Sequence, residues 1–379
     1  MRISALLATL LVSLLACASA SAQVTIPKLP LLPQPPAQPG TPPPATPPAP
    51  ANPQGVAPSD PNPLLGLNFY VDKVEQPAAK WEQRYRRQGQ TGTAGLLAKI
   101  ANQPIFRWIG KSDENPERNT RVFLQRAAER APGTVPGITV LAHHGEKCGK
   151  GYTAGGRKLD ARYRRWMQRF AKGLGDHRVI VALEPDALGT LKCLHKSRRA
   201  SRLRNMNYAT ELLARKPNVT TYIEAGASDW RPAGEVARYL RSAGVNRVRG
   251  FSLNITHFDT SANNLRYGRQ ISRMLGGKHF VINTDENGVG RVWYRRWISR
   301  AKNLWKTVNV WCNPKRSALG TPPQAVNDPQ LDGYLWMSRP GASAGPCRGW
   351  SPRFSMRGGP KAGSFWAERA LSLARQARW

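Results

Sequence analysis

The sequence lacks the short motifs that mark several common enzyme classes. It contains no H-E-x-x-H pair of zinc ligands, no glycine-rich phosphate loop followed by Lys-Ser or Lys-Thr, and no C-x-x-C pair. The adjacent pair His143-His144 has no third metal ligand near it in the chain, so we expect no metal site and no cofactor. A zinc metalloprotease, a P-loop nucleotide hydrolase and a dithiol oxidoreductase are thereby disfavoured.

Acidic residues are also scarce, with 23 Asp and Glu against 57 Lys and Arg, which gives a net charge of +34. A field of this size attracts nucleic acid, anionic lipid or acidic polysaccharide. The arginines are spread along the chain without forming a single tract, and no nucleic-acid-binding motif is present. Charge alone supports only non-specific attraction, so we expect no nucleic-acid partner.

The N-terminal segment 1–22 has the pattern of a secretory signal peptide, with an apolar stretch over 3–16 followed by small residues. This stretch is short for a membrane span. We therefore expect a secreted protein, with the alternative that Cys17 is lipidated and anchors the protein at the cell surface. Residues 23–61 contain 15 prolines among 39 residues, which predicts an extended linker.

Residues 62–379 remain for the folded part, and they are long enough for one large domain with a sizeable core. We expect this domain to be a monomer. Four cysteines follow the signal peptide, and an even number in an exported chain predicts two disulfides. The sequence alone permits three pairings of these cysteines. They are Cys148, Cys193, Cys312 and Cys347.

Short apolar segments alternate with amphipathic, helix-like segments along this domain. The apolar segments are rich in Val, Ile and aromatic residues, and each ends in polar residues or glycine. The alternation predicts an α/β fold, a parallel β/α barrel whose active site lies at the carboxyl ends of the strands. Asp186, Glu224, Asn254 and Asp285 occupy such ends. The predicted strands lie within 137–144, 177–186, 220–226, 248–255, 278–288 and 331–341.

Carboxylates at the rim of a barrel, in a chain with 12 tryptophans, favour carbohydrate chemistry. Glycosidic bonds are cleaved by pairs of carboxyl groups, and pyranose rings stack on aromatic side chains. The clearest candidate is Glu184-Pro185-Asp186, which directly follows the apolar run VIVAL. The tryptophan count alone is weak evidence, because Trp also packs in protein cores.

A series of longer motifs follows in a fixed order along nearly the whole domain. They include NPLLGLNFYVD (62–72), VIVALEPDALGTL (179–191), YIEAGASDW (222–230), GFSLNITHF (250–258), WCNPKRSALG (311–320), LDGYLWMSRPG (331–341) and GGPKAGSFWAERALSLA (358–374). This series resembles the glycoside hydrolases of family six, the cellobiohydrolases and endoglucanases that act on β-1,4-glucan. The resemblance implies a distorted β/α barrel with about seven parallel strands. It also implies the disulfides Cys148–Cys193 and Cys312–Cys347.

By the same resemblance, Asp186 is the general acid of an inverting hydrolysis, in which a second carboxylate activates water on the opposite face of the sugar. Trp108, Trp230 and Trp311 match tryptophans that line the family's sugar-binding cleft. Asn254 is assigned with them to substrate binding.

Several positions depart from the family pattern, and they concentrate at the rim of the barrel. The Asp proposed as the family's catalytic base corresponds to Ala344 here, so another group must activate water if the reaction is kept. Glu224, Glu146 and Asp285 are the candidates, with Glu224 as the first choice. The departing positions are Lys147, Glu224, Ala227, His257, Ser338, Ala342 and Ala344.

We therefore expect a secreted glycoside hydrolase that cleaves β-1,4-linked glucan or a related cell-wall polysaccharide, with Asp186 as acid. The alternative is a catalytically impaired carbohydrate-binding protein that recognises an anionic glycan, which Lys147, His257 and Arg339 would suit. A polysaccharide is the expected partner in both cases.

Overall fold

A computed structural model of the chain describes residues 61–143, 157–299 and 303–379. Within these ranges, no helix is long and apolar enough to cross a membrane. The expectations that fall outside them concern the signal peptide, the linker except its last residue, and Cys17, Glu146, Lys147 and Cys148.

Seven parallel strands form the curled central sheet, which confirms the predicted barrel of about seven strands. The described strands are β1 (Asn68–Phe69), β2 (Arg107–Gly110), β3 (Thr134–Val135), β4 (Gly137–Leu141), β5 (Val179–Leu183), β6 (Val219–Glu224), β7 (Gly250–Leu253), β8 (His279–Asn283), β9 (Trp293–Ser299), β10 (Leu304–Asn309), β11 (Gln324–Ala325) and β12 (Leu331–Leu335). The parallel order around the sheet is β12-β8-β7-β6-β5-β4-β2, and β11 pairs antiparallel with β12 at one edge. Outside the central sheet, β1 pairs with β3, and β9 forms an antiparallel hairpin with β10.

Amphipathic helices connect successive parallel strands and cover the outside of the sheet. In the helix that follows β4, the buried residues Tyr163, Met167, Phe170 and Leu174 are three or four positions apart, so they lie on one face. The described helices are α1 (Pro77–Arg87), α2 (Thr91–Ala101), α3 (Pro116–Arg130), α4 (Arg157–Leu174), α5 (Lys196–Ala214), α6 (Ala233–Ser242), α7 (Ser261–Met274) and α8 (Ala367–Gln376). Short 3₁₀ turns lie at Leu191–Cys193 and Val245–Arg247.

The parallel strands are buried on both faces, which explains why they appear as continuous apolar runs in the sequence. In β5, Val179, Val181 and Leu183 belong to the cluster under the helices. The alternate residues Ile180 and Ala182 belong to a second cluster inside the curled sheet. This two-sided burial fixes the position of β5 in the sheet. Glu184, the first residue after β5, therefore lies at the carboxyl edge of the sheet.

The two edges of the parallel sheet meet between β2 and β12. An isolated parallel bridge joins Ile105 to Trp336, and the backbone N–H of Phe106 donates to the Trp336 carbonyl over 3.0 Å. The indole Nε1 of Trp108 and the hydroxyl of Thr139 both donate to the Met337 carbonyl, over 2.9 and 2.6 Å. The sheet is thus closed by few backbone contacts and by side chains that lie near its carboxyl edge.

The predicted Cys312–Cys347 disulfide is present and joins positions 35 residues apart. Cys193 lies in the 3₁₀ turn after β5. Its predicted partner Cys148 lies outside the described residues, so the Cys148–Cys193 pairing stays a prediction.

Candidate active site

Polar residues follow the carboxyl ends of β5 to β8 and meet at one edge of the barrel. Glu184, Asp186 and Asn254 have left-handed backbone conformations there, with φ of 61°, 68° and 70°. Residues other than glycine rarely adopt this conformation, and such backbone strain concentrates at functional sites. The strand ends are therefore shaped to present particular side chains rather than to continue the chain smoothly.

A cleft of about 340 Å³ opens at this edge. The carboxyl groups of Asp186, Asp285 and Glu286 line it, together with Trp108 and Trp311. The structure thus brings the predicted acid, two of the three predicted tryptophans and a candidate base into one cavity.

Asp186 is half-buried, and its neighbours hold it in a defined orientation. Its backbone N–H donates to Oε2 of Glu224 over 3.0 Å. The hydroxyl of Thr256 donates to Oδ1 of Asp186 over 2.6 Å. Among the described residues no group bonds Oδ2, which leaves that oxygen for a ligand. Thr256 was missed in the sequence, because a threonine a few residues past a strand carries no signal of its own.

Glu184 does not line the cleft and instead joins two strand ends. Its side chain is fully buried and accepts hydrogen bonds from the backbone N–H groups of Ala142 and His143. Its Oε2 also lies 2.6 Å from Nδ1 of His143. His143 therefore contacts a carboxylate in the core, whereas its neighbour His144 lies outside the described residues.

Glu224 is fully buried directly behind Asp186. Its Oε1 accepts from the backbone N–H of Gly226 over 2.7 Å, and its Oε2 accepts from Asp186. Burial, followed by the nearby charge of Asp186, raises the pKa of Glu224 to about 8, although both backbone hydrogen bonds lower it. At neutral pH Glu224 is therefore mainly a neutral acid that supports the backbone of Asp186.

Asp285 and Glu286 follow β8 and also line the cleft. Asn283 donates to Oδ1 of Asp285 over 2.5 Å, whereas the buried Oδ2 of Asp285 has no hydrogen-bond partner among the described residues. Burial and then the charge of Glu286 raise the pKa of Asp285 well above its ordinary value. Glu286 itself is paired with the buried guanidinium of Arg369 and accepts from the backbone N–H of Gly341 over 2.9 Å. Within the described ranges, Asp285 is thus the one of these two carboxyl groups that keeps an oxygen without a partner.

The three predicted tryptophans have different surroundings. Trp311 lines the cleft and is 52% exposed, whereas the guanidinium of Arg339 lies 4.9 Å above the ring of Trp108. Trp230 packs against Gly189 and stacks on His257 at 4.6 Å between ring centroids. It is not among the described residues that line the cleft, so its role in substrate binding stays a prediction.

Asn254 is fully buried and is not among the described residues that line the cleft. Its Nδ2 donates to the carbonyls of Asp259 and Asn283, each over 3.1 Å, which ties the end of β7 to that of β8. Its predicted contact with substrate stays a prediction, and its described contacts are structural.

His257 is a cleft residue whose environment the sequence did not reveal. Its Nδ1 lies 2.8 Å from Oδ1 of Asp229, and Nδ2 of Asn309 donates to the other oxygen of Asp229 over 2.7 Å. Burial alone would raise the pKa of Asp229, but the hydrogen bond and charge of His257 hold it below its ordinary value. His257 also lies 5.9 Å from the ring of Trp311. These contacts connect the cleft wall to the β9–β10 hairpin through Asn309.

The loop that carries Ala344 keeps a defined shape without the family's carboxylate. Oδ1 of Asn313 accepts from the backbone N–H of Ala344 over 2.7 Å, and its Nδ2 donates to the Gly345 carbonyl over 2.9 Å. Residues 341–345 also have the G-x-S-x-G spacing found in serine hydrolases. Ser343 is buried, however, and its hydroxyl bonds the backbone at Gly345 and Pro360. These contacts make Ser343 part of the loop framework.

The family model for glycosyl hydrolases family 6 matches residues 65–377. Endoglucanase A of Cellulomonas fimi is 35% identical over 322 residues, which are 84% of this chain but only 63% of that relative. Endoglucanase 1 of Streptomyces halstedii is 29% identical over 322 residues, which are 83% of this chain and 90% of the relative.

Among solved structures, the endoglucanase Cel6 of Mycobacterium tuberculosis superposes with a TM-score of 0.69 at 33% identity, covering 83% of this chain and 99% of that one. That structure contains methyl-cellobiosyl-4-deoxy-4-thio-β-D-cellobioside. The family match extends from before β1 to the end of α8 and so includes every strand of the barrel. On this evidence the chain belongs to the glycosyl hydrolases of family 6.

Proposed function

We propose that the protein is a secreted glucanase that cleaves β-1,4-linked glucan with inversion of configuration, using Asp186 as general acid. The observation that carries this proposal is the cleft that Asp186 and Asp285 line together with Trp108 and Trp311. The relatives named endoglucanases, and the cellobioside ligand of the Mycobacterium tuberculosis protein, support the choice of glucan. The signal-like segment 1–22 supports secretion.

The acid step uses the oxygen of Asp186 that Thr256 leaves free. A proton on Oδ2 passes to the glycosidic oxygen while the bond from that oxygen to the anomeric carbon breaks. Water then bonds to the anomeric carbon from the opposite face, and a base accepts the proton that the water loses. The products are a new non-reducing end and a reducing end of inverted configuration.

We assign the base role to Asp285 rather than to Glu224. Asp285 follows β8, three strands around the sheet from β5, and it lines the cleft with an Oδ2 that has no partner among the described residues. Both carboxyl groups are buried, but both oxygens of Glu224 accept backbone N–H groups and Glu224 is not among the described residues that line the cleft. Burial raises the pKa of Asp285, and only the ionised form can act as a base, so the hydrolysis rate should increase with pH as Asp285 loses its proton.

The test is hydrolysis of soluble cello-oligosaccharides by the purified protein, with the anomeric form of the first product followed by NMR. An α-anomer as the first product is expected, and a β-anomer would contradict inversion. Asp186→Asn should lower the rate by about 10²–10⁴-fold, the usual cost of losing an acid–base group. If the wild-type protein bound the oligosaccharides without cleaving them, the carbohydrate-binding alternative would replace this proposal.

A further inference from the structure

One face of the β9–β10 hairpin displays aromatic rings to solvent. In the antiparallel register Trp297 lies opposite Trp305, Arg295 opposite Thr307, and Trp293 opposite Asn309. Because opposite residues and every second residue along a strand share one side of a hairpin, these six side chains lie on the same face. We call Trp293, Trp297 and Trp305 the tryptophan face.

The three rings of the tryptophan face are well exposed to solvent, although they also contact neighbouring side chains. Trp293, Trp297 and Trp305 are 43%, 37% and 40% exposed. The rings of Trp297 and Trp305 lie 3.8 Å apart between centroids, and the guanidinium of Arg295 lies 5.2 Å above the Trp305 ring. The contacts hold the indoles in place while leaving much of their area in water. Clustered apolar surface of this kind marks an interaction site.

The tryptophan face is continuous with the catalytic cleft. The backbone N–H of Val310 donates to the Val292 carbonyl over 2.9 Å, so the antiparallel pairing extends past the end of β10. Trp311 therefore continues the same alternation as Trp305, Thr307 and Asn309, and Trp311 lines the cleft. Trp311 is six positions after Trp305 in the chain, which corresponds to about 20 Å in an extended conformation.

The base of the hairpin is also fixed to the cleft wall. Nδ2 of Asn309 donates to Asp229, which bonds His257, and His257 lines the cleft beside Trp311. A polymer that extends from the cleft over Trp311 would therefore meet the tryptophan face, whose position relative to the cleft is fixed by these contacts.

We propose that the tryptophan face binds the part of a β-glucan chain that extends beyond the cleft. This inference rests on the proposed function for the identity of the glycan. The apolar faces of pyranose rings would stack on the indoles, and Thr307 and Arg295 would hydrogen-bond the hydroxyl groups. The continuity with Trp311 favours the polymer that occupies the cleft, which under the proposed function is a neutral β-glucan.

The test separates binding from catalysis. In an Asp186→Asn background, binding to a neutral soluble glucan, hydroxyethylcellulose, is measured by affinity electrophoresis. The triple change Trp293→Ala, Trp297→Ala and Trp305→Ala should weaken binding by about tenfold or more, as loss of a central aromatic contact commonly does. Unchanged binding in the triple variant would overturn the inference, whether or not the wild-type enzyme cleaves glucan.

Two controls make the result specific. Met274→Ala removes another exposed apolar side chain, 46% exposed, which ends α7 just before β8 and therefore lies at the edge opposite the cleft. It should bind like the parent. Trp297→Tyr with Trp305→Tyr keeps the rings and should keep most of the binding, which separates lost stacking from a misfolded hairpin.

In the active background, the triple variant should raise KM for the polymer while leaving kcat/KM on cellotriose unchanged, since a short substrate fills only the cleft. If instead the triple change abolished binding to phosphatidylglycerol vesicles but not to hydroxyethylcellulose, the face would be a membrane contact and the inference would be wrong.

Discussion

The buried carboxyl behind the acid predicts how stability changes with pH. The pKa of Glu224 is about 8 in the folded protein and 4.5 in an ordinary environment. Between these values the folded state binds the proton that the unfolded state has released, so the free energy of unfolding falls as pH rises. The slope reaches about 1.4 kcal/mol per pH unit between the two pKa values and is smaller near each of them, so the loss from pH 5 to 8 is about 3 to 4 kcal/mol.

The change Glu224→Gln removes this titration and keeps the shape of the side chain. The Gln oxygen can still accept from Gly226, whereas the amide group facing the N–H of Asp186 cannot, which costs about 1 kcal/mol. We therefore expect the variant to be slightly less stable than wild type at pH 5 and more stable at pH 8 to 9. Urea unfolding of both proteins across this range measures the difference. Parallel stability curves would show that Glu224 is ionised in the folded state, contrary to the effect expected of its burial.

The remaining predictions concern catalysis and the disulfide. Asp285→Asn should lower the rate by about 10²–10⁴-fold, and azide should partly restore it by forming an α-glycosyl azide detectable by mass spectrometry; azide rescue in Glu224→Gln instead would move the base role to Glu224. Ala344→Asp places a carboxylate on a loop already held by Asn313, so the rate on cello-oligosaccharides should increase, and a decrease would show that this position no longer faces the attacking water. Cys312→Ser opens a 35-residue loop and should lower the free energy of unfolding by about 4 kcal/mol, with an unchanged melting temperature as the contrary result.

The barrel was predictable from the sequence because its strands are buried on both faces. Each strand therefore appears as an apolar run with a polar end, and this pattern alone places Asp186 at the rim. The Cys312–Cys347 pairing followed from the family resemblance. These features depend on local pattern and on long motifs in a fixed order.

The environment of each rim residue was not predictable in the same way, because it depends on how far the sheet curls. Glu224 ends β6 and Asp285 follows β8, and both are buried, yet of these two only Asp285 lines the cleft while Glu224 bonds the backbone of Asp186. Trp230 and Trp311 both match family tryptophans, yet of these two Trp311 alone reaches the cavity described above. A side chain's burial is set by neighbours distant in the chain, which sequence spacing does not encode.

Trp108 takes part both in closing the barrel and in lining the cleft. Its indole N–H fastens β2 to a residue shortly after β12, while its ring lines the cleft. The cleft proposed to bind sugar and the junction between β2 and β12 therefore share one side chain, so a ligand in the cleft should stabilise that junction. A bound substrate should therefore stabilise the protein most strongly at the junction of β2 with β12, where few backbone contacts close the sheet. A substitution of Trp108 would loosen both together, so a weaker apparent affinity in such a variant would partly report an opened barrel.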